Sequence, residues 1–66
     1  MPVVKVIEVL AEGKSIEDAI NTAVAEAGRT VHGIKSVFLK DTQALVEGNK
    51  VVKYRVNTKI SFVIEH

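Results

Sequence analysis

From residue 52 to residue 64 the chain alternates with unusual regularity. Val52, Tyr54, Val56, Thr58, Ile60, Phe62 and Ile64 fall on one parity, and Lys53, Arg55, Asn57, Lys59 and Ser61 on the other. A period of two over that length predicts a strand with one apolar and one polar face. At about 3.3 Å per residue, a strand over 51–65 would extend roughly 45–50 Å if straight. An apolar face that long must be covered, and the rest of the chain has to be read for what could cover it.

Upstream, Val46-Glu47-Gly48-Asn49-Lys50 carries turn residues suited to a hairpin. Before it, residues 34–45 alternate less cleanly. Ile34, Ser36, Phe38, Lys40, Thr42 and Ala44 share one parity, and Lys35, Val37, Leu39, Asp41, Gln43 and Leu45 the other. Residues 3–11 are rich in β-branched side chains and nearly continuous in hydrophobicity, which suits a strand contacted on both faces. Between these strands, Ser15 with Asp18 three positions on resembles a capping box. Ile16, Ala19, Ile20, Ala23, Val24, Ala27 and Val31 then make one apolar stripe at helical spacing. The small residues Ala19, Ala23 and Ala27 allow close approach to a sheet. The stripe predicts a helix over 16–32, with acids early, Arg29 and His32 late, and Gly33 as a left-handed stop.

A helix of that length covers only about 25 Å at 1.5 Å per residue, so it cannot cover the hairpin. The fold class is therefore α+β, in the order β-α-β-β, with a three-stranded antiparallel curved sheet packed on one helix. An all-antiparallel arrangement requires the last strand to lie between the other two. The middle strand is then an edge, and its partly polar face, with Ser36, Lys40 and Thr42, is a place for a subunit contact or a ligand.

The chain has 66 residues and no Cys, and domains of this size bury only about 60% of their unfolded surface alone. Without disulfides, the expected remedy is association of several copies of one domain spanning 1–66. The formal net charge is +1 with both signs interspersed, which lacks the electrostatic footprint of a nucleic-acid binder. No apolar run approaches the ~20 residues of a membrane span, and no signal peptide is evident. The expectation is a soluble, cytoplasmic protein with neither nucleic acid nor membrane as a partner.

No catalytic constellation emerges. His32 reads as a dipole-friendly residue in the last helical turn, and His66 is terminal. Two imidazoles without metal spacing and no thiol argue against zinc or redox chemistry. Oxygen-ligated calcium built across a subunit interface stays open. Gly28-Arg29-Thr30-Val31-His32-Gly33 lacks the phosphate-loop pattern and reads as a helix end. Lys53, Arg55 and Lys59 share a polar face that either pairs with carboxylates or holds an anion. Tyr54 and Phe62 belong to the apolar face.

Taken together, Val4-Lys5-Val6-Ile7-Glu8-Val9, the helical Asp18-Ala19-Ile20 with Ala23, Ala27 and Thr30, and the closing Tyr54-Arg55-Val56 through Ile60-Ser61-Phe62 resemble the dodecin family over essentially the whole chain. The resemblance implies a homododecamer with cubic symmetry, a hollow shell in which each helix lies on its own curved sheet. Flavin-binding members stack isoalloxazine rings on a Trp in the second strand and bond the flavin through a Gln in the third. Here Ser36, in Ile34-Lys35-Ser36-Val37-Phe38, stands at the Trp position, and Arg55 stands at the Gln position. The loop Glu12-Gly13-Lys14-Ser15 departs from the family's Gly-Thr-Ser as well. A Trp-less chain of this kind looks closer to the calcium-associated branch. The expectation is a non-enzymatic homododecamer that sequesters, stores or buffers a small ligand or ion, its flavin pocket lost or remodelled. The alternatives are weak binding of FMN or riboflavin in a pocket lined by Ser36, Phe38 and Arg55, or a purely structural oligomer or adaptor.

Overall fold

The computed structural model describes residues 3–64. Met1, Pro2, Glu65 and His66 lie outside the described residues, and with them the expected last residue of the third strand and the terminal imidazole. Four elements follow one another: β1 (Val3–Gly13), α1 (Ile16–Ala27), β2 (Ile34–Glu47) and β3 (Lys50–Ile64). The strands form one sheet in the order β1-β3-β2, antiparallel throughout. The long alternating strand is central, as an all-antiparallel arrangement of this element order requires.

Cross-strand partners lie on the same face of a sheet, so the register sorts the side chains. Ile7 faces Ile60, Val9 faces Thr58 and Ala11 faces Val56. This is the face under the helix, where Ala23, Ala27 and Ile60 form a buried cluster with Ile7, Val9, Ala11, Ile34 and Val37 against it. Ala19, Val56 and Thr58 are fully buried too. Thr58 is polar, and its Oγ1 donates to the Val9 carbonyl at 2.7 Å, which satisfies it. Tyr54 and Phe62 share this parity but are only half-buried.

At the helix start the Ser15 Oγ accepts from the Asp18 amide at 3.0 Å. Asp18 returns to the Lys14 amide, also at 3.0 Å, one residue before the cap. The helix packs so closely here that a Cβ on Gly13 would stand 2.6 Å from the Ala19 nitrogen. Glycine is what lets β1 pass under the helix.

The helix ends at Ala27, not at His32. Gly28 donates to the Val24 carbonyl at 2.8 Å, and Thr30 and Val31 then both donate to the Ala27 carbonyl. That convergence tightens the chain into turns, and β-branched Thr30 and Val31 do not favour extending the helix. Gly33 does take the left-handed conformation, φ 77°, but it leads into β2. The helix therefore has 12 residues and covers only about 18 Å. Its last turn carries no basic residue, and Arg29 lies beyond it, paired with Glu26 at 3.3 Å.

The hairpin turns on Gly48 and Asn49, with φ 57° and 62°, between the paired residues Glu47 and Lys50. Two central residues with positive φ define the type I′ turn that matches strand twist.

The faces of β2 differ from the simple parity. The register shifts between Ile34 and Ser36, between Leu39 and Asp41, and between Leu45 and Val46. Across each of the first two an extra residue, Lys35 or Lys40, is inserted and the parity inverts. Ile34, Val37, Leu39, Thr42 and Ala44 thus pair with the helix-side residues of β3, whereas Ser36, Phe38, Asp41, Gln43 and Leu45 pair with its outer-face residues.

The chain measures 51 × 19 × 13 Å, and the short helix packs mainly on β1 and β3. On the outer face Val4 is 59% and Leu10 61% exposed, while Leu39, Val46, Val51 and Val52 are also open to solvent. That is much apolar surface for so small a core. Among the described residues no helix is long and apolar enough to cross a membrane.

Candidate functional site

The outer face of the sheet, away from α1, gathers Val4, Val6, Glu8, Leu10 and Glu12 from β1. It meets Lys53, Arg55, Asn57, Lys59, Ser61 and Val63 of β3, by the β1–β3 register. All three sequence-predicted site residues lie on this face, at two separate places.

Ser36 pairs with Ser61, and their Oγ atoms are 2.6 Å apart. Phe38 pairs with Lys59 and is 64% exposed. The Lys35 bulge is what turns Ser36 and Phe38 outward together. Arg55 lies farther along the same face, opposite Glu12 on one side and Gln43 on the other. Six residues of strand separate it from Ser61, roughly 20 Å. Within one chain, therefore, Ser36 and Phe38 are neighbours and Arg55 is not.

Arg55 is held by a carboxylate. Its Nε and Nη2 donate to the Glu12 Oε2 at 2.9 and 2.7 Å. The other Glu12 oxygen takes the Lys53 ammonium at 2.9 Å. These partners, Lys53 first and then Arg55, hold the Glu12 carboxyl below the usual carboxylate range. A second pair stands four residues back along β1, where the bulge residue Lys40 reaches across β3 to Glu8 at 3.5 Å. The Asn57 amide and Lys40 lower the Glu8 pKa in the same sense. Asn57 Oδ1, by contrast, is buried without a hydrogen-bond partner among the described residues.

Between these groups lies a cleft of about 520 Å³ lined by Leu10, Asp41, Thr42, Gln43, Arg55 and Asn57. A smaller one, about 280 Å³, is lined by His32, Gly33, Lys35 and Val63. Among the described residues no group of three or more His, Cys, Asp or Glu comes together to hold a metal ion.

Sequence reasoning missed Glu8, Glu12 and Asn57 as parts of this site. The signal was present in β1, where Val4, Val6, Glu8, Leu10 and Glu12 alternate with the inward set. It could be used only with the β1–β3 register, which sets each acid against Lys59 or Arg55.

The chain is thus a three-stranded antiparallel sheet on one short helix, with apolar and salt-bridged patches on its outer face. The dodecin family profile matches residues 3–65, and the chain belongs to that family. Three solved structures have the same fold. A protein from Thermus thermophilus is 24% identical over 100% of this chain and 98% of its own, with a TM-score of 0.92. The dodecin from Streptomyces coelicolor is 21% identical over 98% and 94%, with a TM-score of 0.89. The dodecin from Streptomyces davaonensis is 14% identical over 98% and 97%, also with a TM-score of 0.89. At these identities the likeness is one of fold. No curated protein matches the chain.

Proposed function

We propose that the chain is the subunit of a non-enzymatic, cytoplasmic homododecamer that sequesters or buffers a small ligand or ion, and that its flavin pocket is remodelled. Membership of a family of small flavin-binding dodecameric proteins supports the assembly, as does the apolar surface that a lone chain leaves in water. The observation that carries the remodelling concerns the two positions answering to the family's flavin contacts. Ser36 is bonded to Ser61 and Arg55 to Glu12. A hydroxymethyl group offers no π-face, and an engaged guanidinium offers different hydrogen bonds from an amide.

Weak flavin binding has one observation in its favour. The exposed ring of Phe38 lies on the same face as Ser36 and supplies an aromatic surface there.

The test is titration with riboflavin and FMN by fluorescence quenching, alongside melting curves with and without calcium. A remodelled pocket predicts no flavin binding at micromolar concentrations. A ligand bound only by the native state raises the melting temperature, so a calcium-dependent rise supports ion buffering. Tight flavin binding would overturn the remodelled pocket.

A further inference from the structure

We propose that Glu12 sets the charge selectivity of the larger cleft, so that it takes uncharged or cationic ligands bearing N–H donors and turns away carboxylates and phosphates. The proposal rests on the reading of the outer face as the ligand-holding face, and it names the ligand class.

Among the described residues, Arg55 is the one cation lining this cleft. A guanidinium captures planar anions through paired N–H donors. Here the Nε and Nη2 donors are already spent on Glu12 Oε2, while Glu12 Oε1 occupies Lys53. An incoming anion must displace a carboxylate belonging to the protein itself. It also meets Asp41, which lines the cleft and has no ion-pair partner among the described residues.

The charged group left for a ligand is an acceptor. Asp41 supplies a carboxylate, and Gln43, also in the lining, an amide that accepts as well as donates. A ligand N–H can pair with the Asp41 carboxylate, whereas an incoming carboxylate or phosphate oxygen cannot. Leu10, largely exposed, adds an apolar wall. The anion site is latent: without the Glu12 charge, Arg55 would face a ligand as a free guanidinium, with the Lys53 ammonium uncompensated behind it.

Nicotinamide and nicotinate are suitable probes, being alike in shape, with an uncharged donor-bearing amide in one and a carboxylate in the other. Equilibrium dialysis of the assembled protein with each, radiolabelled, reads the preference directly. The wild type should prefer nicotinamide by about fivefold or more, and Glu12→Gln should raise nicotinate affinity about tenfold. Adding Arg55→Met to Glu12→Gln should abolish that gain. Lys53→Met, which leaves Glu12 facing Arg55 alone, should weaken nicotinate further and keeps the test available if Glu12→Gln does not fold. An unchanged preference in both Glu12→Gln and Lys53→Met would overturn the role of Glu12 while leaving the ligand-holding face intact. Failure of either probe to bind any of the proteins would overturn that reading and this proposal together.

Discussion

Ser36 and Ser61 face each other across β2 and β3 with their hydroxyl oxygens 2.6 Å apart, which closes the outer face at one end with a small polar pair. If that pair replaces an aromatic wall, restoring the wall should restore binding. Ser36→Trp is expected to raise riboflavin affinity at least about tenfold, roughly 1.4 kcal/mol, read by fluorescence quenching. Unchanged affinity would mean that the Arg55–Glu12 pair closes the site independently.

Gly13 is a second point of tight fit. Gly13→Ala places a methyl 2.6 Å from the Ala19 nitrogen, against backbone that cannot rotate away. Chemical denaturation should show a loss of about 1–3 kcal/mol. A neutral result would mean that the start of α1 can lift off β1 freely.

At the hairpin, Gly48→Ala forces a Cβ onto a residue with φ 57°. The expected loss is about 1–2 kcal/mol. Asn49→Gly at φ 62° should change stability by no more than a few tenths of that. Equal losses at the two positions would contradict the type I′ assignment.

In the core, Ile60 is fully buried between α1 and the flanking strands. Ile60→Ala should cost about 2–5 kcal/mol. Phe62 is half-buried in a lone chain, and Phe62→Ala should reach about 3–5 kcal/mol only where other subunits complete its burial. A small loss at Phe62 in the assembled protein would place that ring at a surface.

Acid should weaken the outer face. Glu8 and Glu12 both titrate below their usual range in the folded chain. Their stabilisation is present above the unfolded-state value of about 4.3 and is lost as pH falls through the lower folded value. Melting temperature should therefore decline from about pH 4.5 downward, and Glu12→Gln should flatten part of that decline. Identical acid profiles for the two proteins would remove Glu12 from this account.

Elements whose burial is periodic in the sequence were legible there. The β3 alternation placed Val56, Thr58 and Ile60 inside, and the alanine stripe placed Ala19, Ala23 and Ala27 against the sheet. The faces of β2 were not legible, because its extra residues are defined only against β3. Nothing local to Lys35 or Lys40 distinguishes an inserted residue from a paired one. The helix end was misplaced for a related reason. Val31 continues the stripe, but the amides of Thr30 and Val31 converge on the Ala27 carbonyl. The candidate site was legible in part. Ser36, Phe38 and Arg55 do lie on one face, but the carboxylates that govern it come from β1 and needed the register to be seen.

Light scattering on the purified protein, with an absorbance spectrum taken across the same peak, tests the central claim most directly. A mass near twelve times 7.2 kDa without flavin absorbance is the expected result. A monomeric or dimeric mass would contradict the shell, and a dodecamer that elutes yellow would contradict the remodelled pocket.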